Sequence, residues 1–549
     1  MNLQIKNLIQ SEEGRKPMTK HKIIIARYLS LILALCMMFP LASCDNTDDP
    51  PETNNPGETE NKADLLKDLD FSGEVFTIHT SINVDDDQQS SYQSSNYLIQ
   101  GAEEVVADKA AASALQRNKK VEEDLNITIR FIESDYGYGT VNSDIRDIIK
   151  AGADGINLII NDISVVRLSA DGLFHDASYG KYFDFDQPYW YDGLMESVSF
   201  NTNTRFALAG DYFIDVTRHS HCLVMNKDFY REIGGDPELI YDLVEKGNWT
   251  LDALLSIING GTNAYNYLTG EEGYTYNGTY VDVTGNKKRD GRDRWGIAMC
   301  GWWGTMIPFL TTSDPGYITR DQDGYPEITV NNERTTQFID KLRSLYHSQN
   351  SAVEVHKDNP YTITNFVEGR ILFLTYQRLG SLESEVFANA DLNMAILPYP
   401  KLDELQPDYI STIHNTTEVG YIPSTISFGG LEFVSAVVEY LNQMTADIVM
   451  PKYYESTLKI RYARESKNAD MIQLIHDSYG NTFPLVWGLP DGDSVFVTGI
   501  YNSVKENDTL FASHYRANEN SAISALEDYV SDYEVVRADL EAQYAGAGK

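Results

Sequence analysis

From Phe71 to Ile160 the chain spells strand, helix, strand, helix, strand, and this order constrains its fold more than any other feature. Phe71-Ser72-Gly73-Glu74-Val75-Phe76-Thr77-Ile78-His79 alternates, as a strand does. Val105 to Leu125 is rich in Ala, Lys and Glu at helical spacing, Ile127 to Ile132 reads as a second strand, and Ser143 to Ala151 as a second helix. Ile156-Asn157-Leu158-Ile159-Ile160 is almost continuously apolar, which suits a strand buried on both faces. Strands separated by helices in this way run parallel with right-handed crossovers, so the class is α/β.

The alternation continues. Arg205 to Ala209 and Cys222 to Met225 read as strands bracketing a short segment, Gly210 to His221. Asp228 to Ile233 and Glu238 to Lys246 read as helices, and Thr250 as the N-cap of a helix from Leu251 to Asn259. Gly260 to Arg294 is rich in Gly, Asn, Tyr and Asp and reads as a loop or small hairpin insertion. Thr335 to Ser348 is an amphipathic helix, Ile371 to Leu374 and Met394 to Leu397 are strands, and Leu431 to Met444 is a helix. Tyr189-Trp190-Tyr191 reads as packing for the first half.

The N-terminus carries a different message. Lys16, Lys20, Lys22 and Arg27 precede an apolar run from Leu29 to Leu41, too short for a comfortable membrane span. Leu41-Ala42-Ser43-Cys44 follows and resembles the lipobox of bacterial lipoproteins, which implies a signal peptide over 1–43 and a lipidated Cys44. Residues 44–67 are acidic and rich in Pro and Asn, with almost nothing to bury, and read as a disordered tether. Some twenty such residues reach on the order of 25 Å. The folded part is thus expected outside the cytoplasm, held close to the cell membrane.

The whole chain has 44 basic and 81 acidic residues, of which six and two precede Cys44, leaving a net −41 beyond the leader. So acidic a surface argues against nucleic acid and against docking on anionic lipid. Beyond Cys36 in the leader and Cys44, only Cys222 and Cys300 remain. A disulfide between them is allowed in an exported protein, but two buried free thiols are the expectation.

Several segments in consistent order resemble the extracellular solute-binding proteins of ABC importers, the family that includes maltose-binding protein. Cys222-Leu223-Val224-Met225-Asn226-Lys227-Asp228-Phe229 is similar to its strand-to-helix step, and Trp249-Thr250-Leu251-Asp252-Ala253-Leu254 to its Trp-Thr-Leu-Asp-x-Leu helix opening. Phe366-Val367-Glu368-Gly369-Arg370-Ile371 resembles its Phe-x-x-Gly-Lys-x-Ala lead-in, and Ala395-Ile396-Leu397-Pro398-Tyr399-Pro400 its Leu-Pro-x-Pro. Lys452-Tyr453-Tyr454-Glu455 and Arg461-Tyr462-Ala463-Arg464 fit clostridial-type members. The resemblance implies a two-lobed periplasmic-binding-protein-like fold with a hinge and an interlobe ligand cleft. Carried over, lobe one is 68–212 plus 422–452, and lobe two is 216–412 plus 455–549. The implied function is a substrate-binding lipoprotein capturing a solute, with an oligosaccharide expected. Its partners would be ABC permease subunits, its membrane contact the lipid anchor, and its state a monomer.

Sugar rings stack on aromatic planes while their hydroxyls need charged or amide partners. Candidate ligand-binding residues are therefore Trp302 and Trp303 after the strand-like Trp295 to Cys300, and Trp487 in a Pro/Gly-bounded segment. Strand ends, where open α/β sheets bind ligands, add Thr80, Ser81 and Asp162, with Asp215 from the first crossing and Tyr376 and Arg378 from a later strand. No cofactor is expected. Asp282 to Asp293 has oxygen ligands at calcium-loop spacing, but Lys287 replaces the turn glycine and Asp293 the usual bidentate Glu, so the loop reads as degenerate. His219 and His221 share a strand face without an acidic third ligand beyond Asp215, and no metal is assigned there. No serine-hydrolase elbow, zinc-protease or phosphate-loop motif is present, so an enzyme is not expected. The alternatives are an exported glycan-active enzyme, whose carboxylate pair an acidic chain cannot exclude, and a surface sugar-binding protein without transport.

Overall fold

The computed structural model describes residue 66 and residues 68–547, apart from 67, 83–95, 104–108, 136–140, 153–154, 261–277, 300, 302, 354–358, 456–465, 489–494 and 507–509. The leader, Cys44 and nearly all of the tether lie outside the described residues. Among the described residues no helix is long and apolar enough to cross a membrane.

The opening alternation folds as its periods require. Strand β1 (Glu74–Ile82), helix α1 (Lys109–Leu125), β2 (Ile127–Asp135), α2 (Val141–Lys150) and β3 (Leu158–Asp162) follow in order. β1 lies between β2 and β3 and runs parallel to both, with Glu74 opposite Ile127 and Ile78 opposite Leu158. The near-continuous apolar run is buried on both faces: Leu158, Ile159 and Ile160 are all enclosed. α1 turns Ala110, Ala114, Val121 and Leu125 inward at helical spacing. Its buried Arg117 is tolerated because the guanidinium donates to the Leu98 and Ile99 carbonyls and to Asn118 Oδ1, and stacks 4.7 Å from the Tyr212 ring centre.

The second lobe is built on a mixed sheet. β4 (His221–Asn226) precedes α3 (Leu251–Asn259), β5 (Trp295–Met299), the hairpin of β6 (Ile318–Arg320) and β7 (Pro326–Ile328), and α4 (Glu333–Tyr346). β8 (Ser351–Val353), β9 (Ile371–Arg378) and β10 (Met394–Leu397) complete it in the order β10-β4-β9-β5-β8. β5 is parallel to β8 and β9, while β4 is antiparallel to β9 and β10. Thr250 caps α3 as expected, its hydroxyl accepting the Ala253 N–H at 3.3 Å. Cys222 is a buried free thiol, its pKa pushed up by burial, and Cys300 lies outside the described residues.

β11 (Glu418–Tyr421) returns to the first sheet and pairs antiparallel with β3, and α5 (Phe428–Met444) follows it there. Glu439 of α5 accepts from Tyr189 Oη at 2.6 Å and Trp190 Nε1 at 2.9 Å, which places this aromatic run in the first lobe's packing. α6 (Ser466–His476) lies against β10, and α7 (Phe511–Ala547) closes the described chain. The chain therefore passes between the two sheets at 210–220, at 398–417, and again between α5 and α6. One expectation changes. Arg205 to Ala209 makes no strand, because only Leu208 pairs, exchanging both backbone hydrogen bonds with Gly420 at 2.8 and 2.9 Å. Gly210 follows, and a Cβ there would lie 2.4 Å from Asn442 Oδ1 and 2.6 Å from the Tyr189 carbonyl. The backbone approaches too closely for a ladder to continue.

Edge strand β10 is sealed by a single side chain. Asn468 of α6 accepts from Ile396 N–H and Tyr241 Oη, each at 2.9 Å, and donates to the Met394 carbonyl at 3.0 Å. Asn468→Ala removes partners from three buried polar groups and should lower stability by about 3 kcal/mol in urea unfolding. An unchanged midpoint would show that β10 does not depend on this contact.

Candidate functional site

Polar strand ends from both sheets converge on the first crossing. β1 ends with Thr80 fully buried, and β3 ends in Asn161 and Asp162, the latter opposite Glu418 of β11. In the second sheet β9 ends in Tyr376, Gln377 and Arg378, with His221 of β4 opposite Arg378. A one-turn helix, Asp215–Arg218, lies between the sheets and is buried throughout. Asp215 Oδ2 accepts the Glu418 N–H at 2.9 Å and lies 3.2 Å from His219 Nδ1. Arg218 donates through Nε and Nη2 to Glu383 at 3.2 and 3.0 Å, and Glu383 also accepts from Tyr453 Oη at 2.8 Å.

The backbone is strained where Tyr376 enters this cluster. Tyr376 has φ of 58° within a β-strand, beside a register shift between β4 and β9 at Cys222 and Val224. Left-handed backbone costs a non-glycine residue on the order of 1–2 kcal/mol. Two bonds hold it: its N–H donates to Tyr399 Oη at 2.8 Å, and its own hydroxyl lies 2.7 Å from His414 Nε2. His414 Nδ1 meets Thr416 Oγ1 at 2.8 Å, and its ring lies 5.8 Å from His221 and 6.0 Å from His219.

Burial sets the protonation of the cluster. Desolvation holds His219 and His414 well below the ordinary histidine range and His221 down to about 3, with the nearby Arg378 adding to it. Burial also lifts the Asp162 carboxyl to about 6 and lowers the Arg378 guanidinium to about 10. His476 goes the other way. Burial opposes its charge, yet its contacts with Asp211 at 3.4 Å and Asp477 at 2.8 Å hold it up at about 9. Tyr191 joins this second group, donating to Asp211 Oδ1 at 2.5 Å.

The sequence candidates divide accordingly. Asp215, Tyr376 and Arg378 come together in the cluster, with Thr80 and Asp162 at the strand ends of the first sheet. Ser81 lies in β1, but its side chain is outside the described residues, as are Trp302 altogether and the side chain of Trp303. Trp487 does not join them. It is buried, its Nε1 donating to the Val198 carbonyl at 2.7 Å and its ring 4.9 Å from Phe200. His414, Glu383, Glu418 and His476 escaped sequence reasoning, since each reaches the first crossing only through pairing between distant segments; Asp211 lies in that crossing and was not singled out.

Among the described residues no three His, Cys, Asp or Glu side chains are placed to hold a metal ion. In the Asp282–Asp293 loop, Asp282 accepts the Lys287 N–H at 2.8 Å and Asp293 accepts the Asp290 N–H at 3.1 Å, so both carboxylates serve their own backbone. A surface notch of about 80 Å³ lies elsewhere, between the first lobe and α7, lined by residues including Asp176, Thr204, Phe206, Tyr533 and Arg537. At the strand ends, Thr80 Oγ1, Asn161 Nδ2 and His221 Nε2 are buried without a hydrogen-bond partner among the described residues, as is the Tyr454 hydroxyl beside the His476 group, its ring 6.4 Å from that imidazole.

No known family profile matches the chain, and no curated protein matches it. Solved structures are similar in fold. An ABC substrate-binding protein from Listeria monocytogenes in complex with cycloalternan is 11% identical, with a TM-score of 0.48, over 83% of this chain and 99% of that one. The GacH receptor of Streptomyces glaucescens, solved unliganded and in complex with acarbose, is 11% identical at a TM-score of 0.46 over 83% and 99%. An ABC transporter solute-binding protein from Thermotoga lettingae bound with alpha-D-tagatose is 14% identical at 0.46 over 83% and 100%. Likenesses this distant leave the site to be argued from the chain's own residues.

The protonation pattern has a signed consequence for stability. His219, His221 and His414 are neutral when folded and bind protons near pH 6.5 when unfolded, so stability falls as pH drops below 6.5. Each histidine contributes a slope of up to about 1.4 kcal/mol per pH unit. His476 contributes stability that is fully present below about pH 6.5 and is lost as pH rises toward 9. Urea melts between pH 5 and 6.5 should therefore show a shallower acid loss for His221→Asn than for the unaltered protein. Parallel curves would mean that His221 is not held neutral.

Proposed function

We propose that this protein is a substrate-binding lipoprotein of an ABC-type importer, which captures a small solute between its two lobes by hinge closure. One observation carries the reading: polar side chains from both sheets are buried together at the crossing, and Thr80, Asn161 and His221 among them have polar atoms that lack partners among the described residues. Leaving such groups unpaired costs about 1–3 kcal/mol each, and a ligand rich in hydroxyls would satisfy them. A solute touching both lobes would shift the population toward the closed arrangement, which needs no chemistry.

The solute we favour is an oligosaccharide. Arg378 and Asp162 suit paired hydrogen bonds to sugar hydroxyls, Thr80 and Asn161 suit single ones, and Tyr376 and Tyr454 offer rings for the apolar sugar faces. Binding is preferred to turnover because three carboxylates at the crossing are already engaged. Asp215 holds the Glu418 N–H, Asp211 the Tyr191 hydroxyl and Glu383 the Arg218 guanidinium, leaving none of the three as an obvious acid or base. The leader and Cys44 belong to the same reading. Lipidation would tether a monomeric binder, through 44–67, within reach of permease subunits in the same membrane.

Thermal melting against a panel of oligosaccharides, peptides and polyamines tests this. A true ligand at 100 times its dissociation constant adds about 2.7 kcal/mol of stability. At least one oligosaccharide should shift the melt, and Arg378→Ala should remove the shift. Peptides or polyamines acting alone would overturn the sugar assignment, and cleaved oligosaccharide in the same incubations would turn the reading to a glycan-active enzyme.

A further inference from the structure

Phe200 belongs to first-lobe chain, ahead of the first crossing, yet its ring sits in a socket made by later segments. Tyr325, Phe483, Trp487, Tyr529 and Tyr533 surround it at ring-centre distances of 6.3, 6.5, 4.9, 6.0 and 5.4 Å. Phe200 itself is 1% exposed.

Two devices bring the socket to it. The first is the β6–β7 hairpin, an arm of the second lobe whose turn reaches residues 199–202. Asn201 Nδ2 donates to the Asp323 carbonyl at 2.8 Å and Thr202 N–H to the Gly324 carbonyl at 3.2 Å. Arg320 donates to the carbonyls of Ser199, at 2.8 Å, and Phe200. Gly324 has φ of 86°, and a Cβ there would fall 2.5 Å from Thr202 Oγ1, so the arm fits only without a side chain at its tip.

The second device is α7. Its first half buries Phe511, Tyr515 and Ala522 in the second lobe's core, against Val504 and Ile500. Its second half lies on the first lobe: Tyr533 Oη bonds Thr204 Oγ1, and Tyr544 stacks on Tyr179 at 3.6 Å. A helix of 37 residues is about 55 Å long and does not fold at its middle without breaking backbone hydrogen bonds. Lobe rotation must therefore bend it or undock one half.

We propose that Phe200 in its socket, with the arm and α7, forms a latch that joins the two lobes and restrains their rotation in the absence of ligand. Hinge motion in a two-lobed binder needs lobes free to rotate about their crossings. Here the lobes are joined in addition by apolar burial that water does not replace. Such a latch limits how far the lobes part before any solute arrives, and it holds whatever the solute proves to be.

Electron–electron distance measurements between spin labels at the exposed positions Lys119 and Gln337, one on each lobe, test the latch. Cys44 and Cys300 are replaced by serine, Cys222 is left buried, and no ligand is added. The unaltered latch should give one narrow distribution. Arg320→Ala, which removes the arm's hydrogen bonds to Ser199 and Phe200 and the stacking of its guanidinium on the Phe483 ring, and Phe200→Ala should each add a longer-distance population and raise the open-to-closed ratio at least tenfold. Four glycines inserted between Ser524 and Ala525, which leave both docked halves of α7 intact, should do the same. A broad or two-peaked distribution in the unaltered protein overturns the proposal. So do unchanged distributions in the Arg320→Ala and glycine-insertion proteins with native circular dichroism.

Discussion

The structure depends on pairing the charges that the first crossing carries into the interior. Removing an ion from water costs several kcal/mol unless partners are fixed around it. Asp215 meets the Glu418 N–H from the first sheet's β11, while Arg218, one helical turn on, grips Glu383 beyond the end of β9 in the second. One buried turn thus reads the position of both sheets. Breaking either half would strand a charge, so the pairs confine the lobes to arrangements in which both are kept. This constraint gives specificity of geometry more than net stability.

The two sides of the lobe interface differ in character, and the difference has a mechanical meaning. The crossing side is polar: Asp162, His221, Arg378 and His414 would all be hydrated readily if the lobes parted. The side around Phe200 is aromatic and gains nothing from water. Opening exposes aromatic surface around Phe200 and separates paired charges at the crossing, and the two costs together set how often a solute finds the site accessible. A ligand that replaces water at the crossing acts on the polar side alone, which keeps binding and latching separable.

Much of this was legible in the chain. The β1-α1-β2-α2-β3 order followed from a period of two giving way to helical spacing, and Thr250 announced α3 by its cap. Tyr376 and Arg378 follow from the rule that open sheets place ligands at strand ends, and Asp215 from its place in the first crossing; the structure brings the three side chains into one cluster. Other features were hidden for physical reasons. His414 sits in an irregular stretch, and Glu418 opens β11 with its partner Asp215 203 residues earlier, so no local pattern marks them. Arg205 to Ala209 has the alternation of a strand, but Gly210 and the crossing allow it a single pair. α7 lacks one apolar stripe, since Phe511 and Tyr515 serve one core and Tyr533 and Tyr544 another. Trp487 was read as a ligand platform from its Pro/Gly setting. Its indole N–H instead answers the Val198 carbonyl, and its ring helps close the socket.

The account's central claim is that the solute lies between the two sheets at the crossing. A crystal structure with a carbohydrate bound tests this most directly. It should show the sugar touching Arg378 together with Thr80 or Asn161, and the polar atoms that now lack partners among the described residues should be hydrogen-bonded. Density confined to the surface notch beside Tyr533 and Arg537, with the crossing unchanged, would contradict it.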